Sequence, residues 1–173
     1  MGFPANNFMM NYKDRIKRGD LDGKVIFWDI DGTLAPYRFN GHVLDPYGST
    51  NGQSEDEIQA HIFLYRKPSV FMQRVLGDIK AEQHIIMGHC SNEIEVADKY
   101  LWTDKYFPAI KTRLFEPCDV SKADAIINYC LNAKIDMNNI IFVDDVIRFI
   151  QEAELKGIES WHISSFMDYF EEN

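Results

Sequence analysis

The sequence contains no long apolar run, which excludes a protein anchored by a membrane-spanning helix. No stretch of its 173 residues approaches the roughly 20 apolar residues that such a helix needs. The first 20 residues also lack the apolar centre of a signal peptide. We therefore expect a cytoplasmic protein without a membrane partner.

Cysteine and positive charge are also scarce. The chain has only Cys90, Cys118 and Cys130, and an odd number without paired spacing does not fit a disulfide framework. Its 27 acidic residues exceed its 18 Lys and Arg residues, so the formal net charge is −9. A negative surface repels polyphosphate backbones, so we expect no nucleic acid polymer as a partner. A small phosphorylated substrate remains compatible, because a bound metal can outweigh the global field locally.

What the sequence does contain is a regular alternation of apolar strands and helices. Continuous apolar runs predict strands at 24–30, 84–87, 112–115, 140–143 and 158–163. Helices are predicted between them, and in the helix after Asn92 the residues Ile94, Ala97 and Leu101 line one face. This order predicts an α/β fold with a doubly wound, Rossmann-like parallel sheet. Ligands bind such sheets beyond the carboxyl ends of the strands, where the strand order reverses.

Residues 35–67 interrupt this alternation. They are rich in Gly and Pro and contain the turn signals Asn40-Gly41 and Asn51-Gly52. We interpret them as a small cap-like insertion of loops and a hairpin. The remainder of residues 1–173 is predicted to form a single domain around it.

Four carboxylates end two of the predicted strands. Asp29 and Asp31 follow the first strand, and Asp144 and Asp145 follow the strand at 140–143. If the two strands are neighbours, like charges crowd together and raise one another's pKa. A hard divalent cation relieves this crowding, and Mg²⁺ prefers such oxygen ligands. The alternative for any single Asp is a solvated turn or helix cap.

Lys122 lies in the first turn of a predicted helix, directly after the capping residue Ser121. A cation there opposes the helix dipole, unless an anion such as phosphate binds at the same end. The sequence therefore indicates either a phosphate-binding lysine or an ordinary solvated surface lysine.

Three segments resemble motifs of the haloacid dehalogenase superfamily. Residues 26–34, IFWDIDGTL, are similar to its first motif, Asp-x-Asp-Gly-Thr. Residues 140–145, IIFVDD, resemble the double-Asp form of its fourth motif, and Lys122 is placed like its third-motif lysine. Residues 97–108 together with the double Asp resemble the 5′(3′)-deoxyribonucleotidase branch.

The resemblance implies a phosphohydrolase that acts on a small phosphate monoester through an aspartyl-phosphate. Asp29 would be the nucleophile, and Asp31 the general acid and then the base. Lys122 would stabilise the developing charge. Mg²⁺ would be held by Asp29, by the backbone carbonyl of Asp31, and by Asp145 or Asp144. The residues expected to bind substrate are Gly32, Thr33, Gly88, His89 and Ser91.

The second motif departs from the family pattern. Its strand normally ends in Ser or Thr, but here that position falls on Gly88. Ser91, or the backbone amides of Gly88 and His89, would have to replace the hydroxyl. Two other functions therefore stay open, a non-catalytic binding module of the same fold and a phosphotransferase such as a phosphomutase. The expected substrate is a nucleoside monophosphate.

Overall fold

The structure, a computed structural model, describes residues 15–40, 43–45 and 61–171. The strands in these ranges are β1 (Val25–Asp29), β2 (Arg38–Asn40), β3 (Val43–Asp45), β4 (Gln83–Cys90), β5 (Thr112–Pro117), β6 (Ile140–Asp144) and β7 (Glu159–His162). The α-helices are α1 (Val70–Asp78), α2 (Glu93–Tyr106), α3 (Lys122–Ala133) and α4 (Ile147–Leu155). Short 3₁₀ helices occur at Ile62–Tyr65, Met137–Asn139 and Ile163–Phe166.

Five strands form one parallel sheet in the order β5-β4-β1-β6-β7. The chain builds outward from β1 on one side through β4 and β5, and then returns to add β6 and β7 on the other side. The predicted doubly wound α/β fold is therefore confirmed. Because β1 lies where the order reverses, the carboxyl ends of β4, β1 and β6 meet at the expected position of a ligand site.

Alternate residues of β1 pack in two separate hydrophobic cores. Ile26 and Trp28 pack on the face covered by α1 and α2, and Val25 and Phe27 pack on the face covered by α3 and α4. This follows from the two-residue period of a strand, whose side chains point to opposite faces. All five residues of β1 are buried, which explains why its sequence is a continuous apolar run.

The face of α2 lined by Ile94, Ala97 and Leu101 is not its buried face. Ile94 and Leu101 are 50% and 59% exposed, and Ala97 is exposed as well. The buried residues of α2 are Asp98, Lys99, Trp102 and Thr103. Two charged residues of α2 instead point inward and meet partners from distant segments, so apolar spacing does not identify its buried face.

Strand β4 is also longer than predicted. His89 and Cys90, which the sequence placed in a loop, belong to the strand, because pairing with β5 continues as far as Cys90 and Pro117. Within the predicted insertion, β2 and β3 pair antiparallel, with Arg38 opposite Asp45. Residues 1–14, 41–42, 46–60 and 172–173 lie outside the described residues, so the cap role of 35–67 stays a prediction. No helix in the described ranges is long and apolar enough to cross a bilayer.

Candidate active site

Three of the four predicted carboxylates converge at the end of the sheet. Asp29 ends β1 and Asp144 ends the neighbouring strand β6, and these two residues are 1% and 0% exposed. Carboxylate oxygens of Asp29, Asp144 and Asp145 lie within 4.8 Å of one another. These three residues and Lys122 form what we call the acidic centre.

Lys122 neutralises part of this charge. It is the first residue of α3, whose start is fixed by the Ser121 hydroxyl accepting from the Asp124 amide at 3.2 Å. Its ammonium donates to Asp29 Oδ1 at 2.5 Å and to Asp144 Oδ2 at 2.7 Å. Lys122 is only 4% exposed, so the surface-lysine interpretation is wrong.

The electrostatics of the acidic centre are unbalanced, since three carboxylates face one ammonium. Burial raises the pKa of Asp29 well above its usual range; Lys122 opposes this shift, and the nearby charges of Asp144 and Asp31 add to it. Burial alone would lower the pKa of Lys122, but Asp29 and Asp144 outweigh it and hold that pKa above its usual value. Lys122 therefore stays an ammonium, but it does not offset the cost of ionising Asp29.

The free oxygen of the acidic centre belongs to Asp145. Both oxygens of Asp144 are engaged, one by Lys122 and the other by the Val146 amide at 2.8 Å. Asp145 Oδ1 is buried without a hydrogen-bond partner among the described residues. Burial and the charge of Asp144 raise the pKa of Asp145. A buried, unpaired carboxylate oxygen in an acidic cluster fits a divalent cation, which Asp29 and Asp145 are placed to hold.

The turn after β1 is shaped to admit Asp145. Gly32 has a positive φ of 79°, and a Cβ at this position would overlap the Asp145 carboxylate. Only glycine satisfies both conditions. Thr33, the next residue, is 1% exposed, and its hydroxyl has no partner among the described residues. Whether Gly32 and Thr33 contact a substrate stays a prediction.

Asp31 lies in a second set of charges. Arg66 Nη1 donates to its Oδ1, and Lys99 Nζ donates to its Oδ2 at 2.7 Å. Lys99 also contacts Glu95 Oε1 at 2.8 Å. We call Asp31, Arg66, Lys99 and Glu95 the clamp. Sequence reasoning missed Arg66 and Lys99; the four-residue spacing of Glu95 and Lys99 was the available signal, but it is common on solvated helices.

The second-motif position is glycine for a steric reason. A Cβ on Gly88 would lie 2.6 Å from Cγ2 of the fully buried Ile30. Any Ser or Thr at this position would collide with the core beneath β1. The missing hydroxyl is therefore a consequence of packing at Ile30.

The other two candidates of this motif have partners elsewhere. The His89 ring bonds the Val120 carbonyl through Nε2 at 2.8 Å, and burial lowers its pKa. Ser91 is exposed; its amide donates to Glu95 Oε2 at 2.8 Å, and its hydroxyl lies 3.9 Å from the Cys118 sulfur. Their roles in substrate binding stay predictions.

No protein-family model matches this sequence, and no curated protein matches it. Among solved structures, the chain is similar to one from the Pnkp1/Rnl/Hen1 RNA repair complex, with 18% identity, a TM-score of 0.50 and 85% of this chain covered. The chain spans only 44% of that protein. It is also similar to a haloacid dehalogenase-like family hydrolase from Streptococcus pneumoniae, with 13% identity, a TM-score of 0.50 and coverage of 86% of this chain and 91% of that one.

A third structure is a haloacid dehalogenase family enzyme from Bacteroides thetaiotaomicron, an aspartate-to-alanine mutant in complex with magnesium and inorganic phosphate. It is 9% identical with a TM-score of 0.47, and the match covers 80% of this chain and 93% of that one. The similarity to the Streptococcus hydrolase shows that the chain has the haloacid dehalogenase fold. These matches give no support to the deoxyribonucleotidase branch.

Proposed function

We propose that this protein is a Mg²⁺-dependent phosphohydrolase that cleaves a small phosphate monoester through an aspartyl-phosphate on Asp29. The observation that carries the proposal is the acidic centre itself. Asp29 is buried at the switch point of the sheet with an ammonium at 2.5 Å, and Asp145 beside it has a buried oxygen that no described residue bonds. Charge is left uncompensated at the position where such folds bind ligands.

The residues divide the reaction between them. An oxygen of Asp29 bonds to phosphorus as the bond to the leaving oxygen breaks, and Asp31 gives that oxygen its proton. Water then displaces phosphate from Asp29, and its proton goes to Asp31. Lys122 remains an ammonium throughout and offsets charge on the phosphoryl oxygens. When bound by Asp29, Asp145 and the Asp31 carbonyl, Mg²⁺ supplies further positive charge to those oxygens.

A nucleoside monophosphate is the substrate we favour. The resemblance of residues 97–108 first suggested it, and Tyr37 supports it. This ring is 44% exposed and lies 5.0 Å above the guanidinium of Arg66, which in turn bonds Asp31. An exposed aromatic ring beside the site suits a planar leaving group. One structural neighbour belongs to an RNA repair complex, so a substrate panel should also contain an oligonucleotide with a terminal phosphate.

Phosphate release from p-nitrophenyl phosphate, with and without Mg²⁺, tests the proposal. We expect turnover with Mg²⁺ and none after full chelation. A binding module would release no phosphate, and a phosphotransferase would turn over only with an acceptor other than water. Activity that survives complete chelation would remove the metal from the mechanism.

The assignment of Asp145 as a metal ligand has its own test. We expect Asp145→Asn to weaken Mg²⁺ binding by about tenfold or more, which corresponds to roughly 1.4 kcal/mol. The midpoint of the Mg²⁺-induced rise in melting temperature measures this without any substrate. Asp136→Asn is the matched control, because Asp136 caps the turn before β6, at the opposite edge of the sheet. Equal midpoints in the two variants would exclude Asp145 as a ligand.

A further inference from the structure

Lys99 is a buried cation whose three N–H donors are all engaged by protein acceptors. It is 0% exposed, and its ammonium contacts Asp31 Oδ2 at 2.7 Å, Glu95 Oε1 at 2.8 Å and the carbonyl of His89. An ammonium has three N–H donors, and three acceptors surround this one. Burial alone would lower the pKa of Lys99, but Asp31 and Glu95 outweigh it and raise that pKa above its usual value. Lys99 therefore acts on Asp31 and not directly on a ligand.

A network of buried charges is weak evidence for a stabilising role. Removing charged groups from water costs several kcal/mol per ion, and well-packed apolar residues in place of a buried ion pair are often equally stable. What such a network does provide is a fixed geometry, because each partner constrains the others. The group whose position is fixed here is Asp31, one of the two carboxylates of the proposed reaction.

Arg66 holds the same carboxylate from another direction. It is 8% exposed, and its guanidinium carbon lies 5.0 Å from the centroid of the Tyr37 ring and 5.1 Å from that of the Phe63 ring. Its carbonyl accepts the Trp102 indole N–H at 2.9 Å, which fixes its backbone as well. Arg66 engages Asp31 Oδ1 and Lys99 engages Oδ2, so the rotation of the carboxylate is set by both cations.

Gly88 lies next to this arrangement. A Cβ at position 88 would lie 3.7 Å from Lys99 Nζ, in addition to its collision with Ile30. The ammonium of Lys99 thus lies beside the position from which a second-motif hydroxyl would project. The 3.7 Å distance is ordinary van der Waals contact, so the steric constraint on position 88 comes from Ile30 and not from Lys99.

We propose that Lys99 and Arg66 are positioning residues that orient Asp31 toward the water that hydrolyses phosphorylated Asp29. In that step a water oxygen bonds to phosphorus, the bond between phosphorus and Asp29 breaks, and the proton of the water goes to Asp31. The products are inorganic phosphate and the free Asp29 carboxylate. This inference rests on the proposed function, and it assigns two residues to the second half of the reaction.

Rapid-quench kinetics of Lys99→Met with p-nitrophenyl phosphate separates the two half-reactions. Nitrophenolate leaves without needing a proton, so phosphorylation of Asp29 should stay fast while its hydrolysis slows. We expect a burst of about one nitrophenolate per enzyme, a steady-state rate at least about tenfold lower, and phosphorylated protein by mass spectrometry after acid quench. Lys99→Arg, which keeps a cation, should recover part of the steady-state rate.

Lys105→Met is the matched control, since Lys105 lies exposed on the same helix and contacts the ring of Tyr106. It should behave like the wild type. Arg66→Lys provides a second variant if Lys99→Met does not fold. This variant keeps the positive charge but loses the planar guanidinium. It should show the same burst of nitrophenolate.

The outcomes distinguish the two levels of the proposal. If both half-reactions slow together and no phosphoenzyme accumulates, Lys99 and Arg66 serve only the fold, and this inference is wrong. Unchanged kinetics in the variants would overturn it as well. If the wild-type protein itself never becomes phosphorylated and releases no phosphate, the proposed function fails, and this inference fails with it.

Discussion

The acidic centre and the clamp are built from the same kinds of residue, yet their formal charges differ. Asp29 of the acidic centre and Asp31 of the clamp are only two positions apart in the sequence. In the acidic centre, three carboxylates face the single ammonium of Lys122. In the clamp, the carboxylates of Asp31 and Glu95 face the two cations Arg66 and Lys99. The clamp is neutral and closed, whereas the acidic centre carries an excess of negative charge. A divalent cation would complete only the acidic centre.

The difference shows that one fold can contain a charge cluster that fixes the position of a side chain and a charge cluster that is ready to bind a ligand. Buried charges that are fully paired give a rigid arrangement, because moving one partner exposes another. Buried charges that are left unpaired raise the free energy of the site until a ligand arrives. Asp31 contacts two cations, whereas Asp29 shares the ammonium of Lys122 with Asp144, although only Ile30 lies between Asp29 and Asp31. Variants that alter one cluster should therefore affect chemistry and stability in different proportions.

Removing the nucleophile is the most severe way to break the acidic centre. We expect Asp29→Asn to lower turnover of p-nitrophenyl phosphate by roughly 10⁴-fold or more, as loss of a nucleophile does. The fold should remain, and the melting temperature should stay equal or rise, because a buried like charge is removed. Initial rates and a melting curve on the same preparation measure both. Retention of most of the activity would show that phosphate is not transferred to Asp29.

Lys122→Ala makes the imbalance of the acidic centre larger. We expect a loss of roughly 100-fold in turnover, about 3 kcal/mol, as for removal of a donor that stabilises transition-state charge. From the helix dipole alone, stability would be unchanged or slightly improved. The structure indicates the opposite, because two buried carboxylates lose their shared cation.

Melting curves of Lys122→Ala with and without Mg²⁺ measure this stability effect. We expect a lower melting temperature without Mg²⁺ and partial recovery with it. Lys24→Ala is a suitable control, since Lys24 bonds the Asn138 carbonyl away from the carboxylates. Wild-type rates in Lys122→Ala would exclude Lys122 from the site.

Sequence patterns predicted the acidic centre because each part of it is local. An apolar run followed by Asp places Asp29 and Asp144 at strand ends, and a capping Ser121 places Lys122 at a helix start. The clamp could not be predicted in this way. Lys99 meets Asp31 across 68 residues of sequence. Nothing near Lys99 distinguishes it from a solvated lysine, so only the tertiary structure reveals its burial.

The same limit applies to two features of the fold that the sequence did not predict. The inward face of α2 is set by charges on other segments, and the length of β4 is set by its pairing with β5. Gly88 was recognised as a departure from the family pattern, but its cause, the side chain of Ile30, is a long-range contact.

Filling the space beneath the clamp should affect stability more than the rate of any chemical step. We expect Gly88→Ala to lower the free energy of unfolding by about 1–3 kcal/mol, because its Cβ would overlap Ile30 Cγ2. Gly77→Ala in α1 is the matched control; nothing lies within 4 Å of its Cβ position. That change should be neutral or should stabilise by about 0.4–1 kcal/mol. Equal effects in urea denaturation would show that Gly88 is not under steric constraint.

The rate of thiol alkylation is the mildest test, because it measures the environment of the clamp in the wild-type protein. Cys90 lies next to the clamp and is 5% exposed; burial raises its pKa to about 11, against a smaller opposing effect of Lys99. Alkylation requires the thiolate, and at pH 8 only about one Cys90 thiol in a thousand is ionised when the pKa is raised this far. Cys118 is exposed, so iodoacetamide at pH 8 should modify it first.

Peptide mass spectrometry over a time course should show Cys118 alkylated while Cys90 and the buried Cys130 stay protected until the protein is unfolded. The same experiment on Lys99→Met sharpens the contrast between the two clusters. Loss of the nearby ammonium raises the pKa of Cys90 further, so its alkylation slows if the core stays closed. Faster labelling of Cys90 in that variant would show that the clamp holds the strand end closed as well as orienting Asp31.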